Sequence, residues 1–467
     1  LGDILIVTVT PDKYVNKGPG RPVFTEALRA EAIAALESVD YVAINLWPMA
    51  VEIIKIFKPD IYVKGKDYAD SEKDETCGIS FEKTAVESVG GEIHFTDDIT
   101  FSSSSLINEY FEIYPPGTQD FLKVFRKEYP ADKVIEWLKG LKNLRVLVIG
   151  ETILDKYVLM ASMVSKPPKG NHIAARFVSE ETHAGGILAC ANHLANFCGS
   201  IDLITAGGND GNDDFVKSHL KPNVSPILFH YDEAPTIVKK RFIENAFMAK
   251  LFEEYTIDDR PSPELESRIM LCLERLFSES PKYNLVLVLD YGHGLLGPNL
   301  IKFICDQEIC LAVNAQTNTA NIGFNPITKY PRASFYCLDD RELRIAFHDQ
   351  HGQSEEIMKR LAENTKKYEV HWPRAVAVTQ GHLGAMIYDA KKNAFYKAPI
   401  LSQKIVDTNG AGDAFFALTA PCVINKLPLD LVVFIGNAAG ALAVGYLGNK
   451  SSIEAIPFFK FITALLK

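Results

Sequence analysis

Apolar residues in this chain fall into short uninterrupted runs set between longer, mostly polar stretches. Residues 5–9 (LIVTV) are the first such run, and the pattern predicts a strand over 3–9, a helix over 25–36, a strand over 41–45, a helix over 49–57 and a strand over 61–63. Short apolar runs alternating with helical segments predict parallel strands, buried on both faces and covered by helices. Tyr114-Pro115-Pro116-Gly117-Thr118 breaks the pattern, and residues 119–141 read as a largely polar helix. A second series then begins with 144–149 (LRVLVI) and continues through a helix at 187–197, a strand at 285–289, a strand ending at Val313 and a strand at 376–379. Segments 157–163 and 174–180 predict a small strand lid. The chain is therefore expected to be α/β with two domains, residues 1–115 and 143–467, joined by a linker helix at 116–142.

Composition sharpens this in three ways. A length of 467 residues exceeds one ordinary core. A net charge of −10 argues against nucleic-acid binding, which needs a basic surface. The eight cysteines include no C-x-x-C pair and sit mostly in apolar surroundings, as expected of a reduced, cytoplasmic protein. Residues 431–448 carry no charge and contain a G-x-x-x-G at Gly436 and Gly440, which taken singly suggests a membrane span. Its small residues, Asn437 and its place after a glycine-rich loop favour a buried helix instead, with no membrane partner.

That loop, Asp407-Thr408-Asn409-Gly410-Ala411-Gly412-Asp413, runs directly into the apolar helical segment 414–418. Two glycines beside an alanine let backbone N–H groups converge at a helix start, where the helix dipole also favours an anion. Asp413 at the rim of such a pocket can take a proton from an attacking hydroxyl while Gly410, Ala411 and Gly412 hold a phosphoryl group. No Gly-Lys-Ser/Thr follows, so this is not a Walker A loop. A plain glycine turn with a capping aspartate is the competing reading.

Other candidates are weaker on residue type and spacing. The loop 12–22 is rich in turn formers and carries Lys17 and Arg21, placed after a strand where phosphates bind, or simply an exposed basic turn. Asp155 follows the strand 144–149 and can accept hydroxyls or cap a helix. Lys239 and Arg241 share one face of a strand at 236–243, which by residue type alone could lie on a solvated edge. Thr379, Gly381 and Gly384 form a strand and glycine turn that by itself is an ordinary hairpin.

Motif by motif, the two halves resemble known families. D-T-N-G-A-G-D is similar to the C-terminal signature of the ribokinase-like (PfkB) carbohydrate kinases, in which the final Asp is the base. Lys17-Gly18-Pro19-Gly20-Arg21-Pro22, the run Lys58 to Tyr68 and Phe101-Ser102-Ser103-Ser104-Ser105 resemble the nucleotidyltransferase domain of bacterial ADP-heptose synthases, related to glycerol-3-phosphate cytidylyltransferases. The resemblance implies an incomplete Rossmann-like nucleotidyltransferase domain, then a ribokinase-like three-layer kinase domain, the reverse of the order in ADP-heptose synthases. It also implies that an H-x-G-H segment belongs upstream of Leu1, so that this stretch as given is not expected to transfer nucleotides.

Residue by residue, the resemblance implies that Asp155, Gly185, Gly186, Lys239 and Arg241 bind a sugar or sugar phosphate. Thr379, Gly381, Gly384 and Asn437 would bind ATP, and Glu342 with Asp339 would organise Mg2+ and its waters. Lys17, Arg21, Lys64, Asp67, Ser103 and Ser104 would bind a nucleoside triphosphate in the first domain. A heptose 7-phosphate is the implied kinase substrate, and a homodimer is one arrangement the reading allows. Three positions depart from the heptose kinases: Ala189 replaces an Asn, His293 a Lys in D-Y-G-K-G, and Asn314-Ala315-Gln316 stands for Asp-Pro-Lys. These departures leave open a kinase of another small substrate, such as a nucleoside, and a non-catalytic nucleotide-binding regulator.

Overall fold

The computed structural model describes residues 2–65, 78–96, 114–163, 174–278, 282–364, 375–403 and 405–467. Its contacts divide the chain into two compact units, residues 1–131 with 455–467, and residues 132–454. The terminal helix Ala455–Leu466 thus belongs with the first unit, which no local pattern announces.

In the first unit, β1 (Ile6–Val9) pairs in parallel with β2 (Tyr41–Ile44), and β3 (Ile61–Gly65) with β4 (Glu92–Thr96). The helix Glu26–Ala34 starts at Thr25, whose hydroxyl accepts the Leu28 N–H at 3.4 Å. The helices Val51–Phe57 and Gly78–Ser88 pack a small core of Ile54, Ala85 and Val86. The first strand is parallel as expected but not buried: Ile6 is 40% exposed, and within the strand Val9 is the buried position. A pair of strands does not wall off two faces, so the apolar run keeps its conformation without full burial. Farther along, the ring of Phe461 lies directly under the backbone of Gly18, where a Cβ would fall 1.9 Å from Cδ2. Arg126 Nε donates to the Leu465 carbonyl at 3.0 Å.

The second unit is built on a nine-stranded sheet in the order β17-β16-β15-β14-β13-β12-β5-β8-β9. Here β5 is Arg145–Gly150, β8 Ser200–Gly208, β9 Val224–Tyr231, β12 Leu285–Asp290, β13 Leu311–Ala315, β14 Phe335–Asp339, β15 Ala375–Thr379, β16 Ala385–Asp389 and β17 Ala394–Ala398. Strands β9 to β15 run parallel, and β16 and β17 close one edge antiparallel. The central strands are buried end to end, β12 at every position, as expected for strands covered on both faces.

A second sheet of four strands, β11-β10-β6-β7, comprises β6 (Thr152–Ser162), β7 (Ala175–Gly186), β10 (Ile237–Glu244) and β11 (Ala249–Thr256). It contains the expected lid segments but is larger than they suggested. The edge reading of residues 236–243 does not hold, because β10 lies between β6 and β11. Its alternation buries Ile237, Lys239, Arg241 and Ile243 on one face.

The uncharged stretch 431–448 forms most of the helix Leu429–Ala443, which packs on the helix Ala411–Ile424. At the contact a Cβ on Gly436 would fall 2.5 Å from the Phe415 ring and 2.6 Å from the Thr419 methyl. Glycine here permits close helix approach within the protein. Among the described residues no helix is long and apolar enough to cross a membrane.

Candidate active site

Asp413 lies in the first turn of the helix Ala411–Ile424, capped by Gly410 in the left-handed region at φ 80°. A side chain at Gly410 would be strained by that backbone, and its Cβ would meet Asn449 Oδ1 at 2.2 Å. Ala414 donates back to Gly410, while the N–H groups of Gly412 and Asp413 have no acceptor among the described residues. Unpartnered amides at a helix start are an anion-binding feature.

The Asp413 carboxylate is 7% exposed and held from both sides. Gln316 Nε2 donates to Oδ1 at 2.6 Å, and the Tyr291 hydroxyl donates to Oδ2 at 3.1 Å. Burial pushes its carboxyl up to about 6, Asp155 adds to the rise, and Gln316, Tyr291 and Lys239 oppose it. A carboxyl tuned near neutrality is suited to accept a proton.

Asp155 on β6 accepts Arg241 Nη1 at 2.5 Å and Asn449 Nδ2 at 3.1 Å. Arg241 also pairs with Glu253 at 3.3 Å. Gly185 makes room for this carboxylate, since a Cβ there would fall 2.1 Å from Oδ2. Lys239 is 8% exposed and no carboxylate lies within ion-pair distance among the described residues. Its ammonium stands 5.6 Å from the Tyr291 ring centre and 5.8 Å from that of Tyr255. Burial holds its pKa below the usual lysine range, with Asp155 opposing. Tyr291 and Gln316 thus bond Asp413, while Asp155 and Lys239 both act on its charge.

The glycine loop is anchored from the four-stranded sheet. Asp407 accepts the Tyr157 hydroxyl at 3.2 Å, Lys250 Nζ at 3.0 Å and the Gly448 N–H at 3.1 Å. The Asn409 side-chain oxygen accepts from Arg241 Nε at 3.1 Å and Lys250 Nζ at 3.0 Å. The first and third residues of the motif therefore fix the loop that presents the amides.

On the expected nucleotide side, Thr379 ends β15 and Gly381 to Gly384 make a tight turn, with Gln380 N–H donating to the Gly384 carbonyl at 2.8 Å. Asn437 Nδ2 donates to the carbonyls of Ala398 (2.7 Å) and Pro399 (3.0 Å). Asp339 and Glu342 cap each other at the start of the helix Asp340–Phe347, and Glu342 also accepts the Thr317 N–H at 2.8 Å. Glu342 is pushed up to about 8 by burial first and by the Asp339 carboxylate next. Among the described residues no three His, Cys, Asp or Glu side chains gather as a metal site. Asp339 and Glu342 are hard carboxylate oxygens of the kind Mg2+ takes, and would suit an ion held mainly by phosphates and water.

In the first unit, burial pulls the Lys17 ammonium below its usual range, and Arg21, Lys467 and Lys460 add to this. Lys64 pairs with Glu82 at 2.8 Å and stacks over Tyr62. Asp67, Ser103 and Ser104 lie outside the described residues.

Sequence reasoning missed several groups. Glu151, fully buried, accepts the backbone N–H groups of Tyr291 and His293, both at 3.0 Å. Gln316, Tyr291 and Asn449 touch Asp413 or Asp155 directly. The sequence carried a signal for two of them, as they stand in the D-Y-G-H-G and Asn-Ala-Gln segments. His293 is completely buried, its ring pKa lowered to about 3 by burial and by Lys239, and Nδ1 has no hydrogen-bond partner among the described residues. Asn314 Nδ2 donates to the Cys337 carbonyl at 2.8 Å. Ala189 lies buried in the helix Ile187–Ala195.

Residues 1–109 match the family model described as cytidylyltransferase-like, and residues 327–456 match that of the pfkB family carbohydrate kinases. The bifunctional protein HldE of Granulibacter bethesdensis is 24% identical over 312 residues, covering 65% of this chain and 62% of that protein. Its counterpart from Campylobacter jejuni is 23% identical over 332 residues, covering 70% of this chain and 67% of the relative. The chain thus matches less than two thirds of the length of the Granulibacter relative. Among solved structures, phosphofructokinase-2 from Escherichia coli superposes with a TM-score of 0.54 at 15% identity, covering 70% of this chain and all of that one. Ribokinase from Thermotoga maritima gives 0.50 at 16%, covering 68% and 99%. The fold is therefore a cytidylyltransferase-like α/β domain followed by a ribokinase-like α/β/α domain.

Proposed function

We propose that a chain of this construction phosphorylates a sugar or sugar phosphate with ATP in its second domain. The observation that carries the reading is Asp413, a buried carboxylate with a pKa near 6, beside unpartnered helix N–H groups and the buried Lys239. In this scheme the substrate hydroxyl is held near Asp155 and gives its proton to Asp413. The oxygen attacks the γ-phosphorus in line, the bond to the β,γ-bridging oxygen breaks, and its electron pair leaves with ADP. Gly410, Ala411 and Gly412 line the pocket, whose unpartnered N–H groups and Lys239 stabilise the transferring group. Thr379, Gly381, Gly384 and Asn437 would line the nucleotide. Mg2+, when bound through the phosphates near Glu342 and Asp339, supplies charge neutralisation.

The motifs that resemble ADP-heptose synthases support a heptose 7-phosphate as acceptor and an activated nucleotide sugar as the product of a companion nucleotidyltransferase step. In the first domain, residues 1–115, Lys17 and Arg21 with Lys64 would meet a nucleoside triphosphate, and the kinase domain would begin at residue 143 after a linker at 116–142. The module order is the reverse of that in the ADP-heptose synthases the sequence resembles. A cytoplasmic location is part of the same reading.

One observation favours a second reading. Ala189, the buried His293 and Asn314, whose Oδ1 finds no partner among the described residues, replace groups expected to bind the sugar. Another small hydroxylated acceptor, such as a nucleoside, or a regulator that binds nucleotide without turnover, would fit those changes. ADP release measured with ATP across sugars, sugar 7-phosphates and nucleosides, beside Asp413→Asn, decides among them. Turnover on one class that is lost in the variant supports the kinase, and ATP binding without Asp413-dependent turnover overturns it.

A further inference from the structure

Gln316 is fixed before its side chain reaches the site. Its backbone N–H donates to the Asp290 carbonyl at 2.8 Å, and its own carbonyl accepts Asn325 Nδ2 at 3.1 Å. Those two bonds tie the residue after β13 to the end of β12 and to the loop that follows. The side chain then spans to the start of the helix Ala411–Ile424, where Nε2 meets Asp413 Oδ1 at 2.6 Å. Tyr291 occupies Oδ2, so each carboxylate oxygen receives one donor and keeps a lone pair for a substrate hydroxyl.

We infer that Gln316 is a positioning residue for the reaction proposed above, a neutral donor that aims the Asp413 carboxylate and holds it in its charged, proton-accepting form. The choice of a neutral amide matters chemically. A hydrogen bond to the charged form offsets part of the cost of burying it, whereas a lysine at this place would stabilise the anion more and leave it a weaker base. The proton taken from the substrate hydroxyl goes to Asp413, and Gln316 gives up none of its own.

The other groups that act on Asp413 come from every neighbouring element. They are Asp155 on β6, Lys239 on β10, Tyr291 after β12, Cys337 on β14, Cys190 on the helix Ile187–Ala195 and Glu342 on the helix Asp340–Phe347. A side-chain change at Gln316 removes neither of the backbone bonds that tie it to Asp290 and Asn325.

The test uses the full chain without ligand and four proteins: wild type, Gln316→Leu, Asp413→Asn and the double variant. Melting temperatures are compared at pH 5 and pH 8. Asp413 is mostly protonated at the lower pH and ionised at the higher. Gln316→Leu is expected to lower the melting temperature by a few degrees more at pH 8 than at pH 5. That pH-dependent excess is expected to vanish in the Asp413→Asn background. An equal loss at both pH values, or an excess that persists with Asp413→Asn, overturns the inference.

A pH–rate profile with ATP and heptose 7-phosphate adds a catalytic readout. Gln316→Leu is expected to reduce kcat about 10- to 100-fold with little change in KM for ATP, and to move the acid limb up by roughly one pH unit. Gln316→Lys, which keeps a donor, is expected to move that limb down. Limbs that coincide in all three proteins overturn the inference. Absence of wild-type turnover with heptose 7-phosphate counts against that acceptor, and the melting comparison still decides the role of Gln316.

Discussion

Glu151 Oε1 accepts the backbone N–H of His293 at 3.0 Å, with the whole glutamate buried between β5 and β6. Its other oxygen takes the Tyr291 N–H, so one side chain fixes the turn that carries the Tyr291 hydroxyl to Asp413. Glu151→Ala leaves two buried N–H groups without acceptors. A loss of about 2–4 kcal/mol is expected from such unpaired groups and the cavity left behind. Chemical denaturation checks the loss, and an unchanged midpoint would show that the turn holds itself.

Asp413→Asn is expected to separate stability from turnover. The folded pKa near 6 lies above the ordinary 3.8. Stability gained from the protonated form is full below about 3.8 and is lost as pH rises through 6. Above that pH the wild type carries a buried carboxylate that the variant lacks. The variant should therefore be more stable at pH 8, on the order of 1–3 kcal/mol, with the gap narrowing toward pH 5. Turnover should fall by about 100-fold or more. Melting curves across pH, run beside ADP release, test both halves.

Gly410→Ala should damage the loop at its least tolerant point. Positive φ costs a non-glycine residue roughly 1–3 kcal/mol in a strained setting, and the new methyl would meet Asn449. Because Asn449 also donates to Asp155, the expected effect is a drop in kcat together with a higher KM for the acceptor. A variant with wild-type kinetics would remove Gly410 from the site.

Gly436→Val tests the helix pairing. Its side chain would press on the Phe415 ring and the Thr419 methyl, costing about 1–3 kcal/mol or more by overpacking. Thermal unfolding measures it, and a neutral result would mean the two helices do not approach as closely as described.

Gly18→Ala is expected to destabilise the first unit through both its φ of 90° and the Phe461 ring beneath it. Limited proteolysis should then cut within residues 1–131 before the second unit, and an unchanged pattern would argue against the contact.

Local sequence was enough for features whose physics is local. Uninterrupted apolar runs specified buried parallel strands, as at 285–289, because a strand covered on both faces needs apolar residues at every position. D-T-N-G-A-G-D specified a glycine-capped helix start with an acid in its first turn, since φ and helix geometry depend on neighbours in the chain. Alternation put Lys239 and Arg241 on one face.

Tertiary structure decided what those elements touch. Gln316 and Asp413 are 97 residues apart, Tyr157 and Asp407 are 250, and Asn449 and Asp155 are 294. No periodicity encodes such pairings, which depend on how β5, β12 and β13 order themselves in the sheet. The same cause moved residues 236–243 from a solvated edge to the inside of a four-stranded sheet, and gathered the terminal helix with the first unit. The pKa of Asp413 follows as well, because burial and the two donors around it exist only once the sheet and the helix have met.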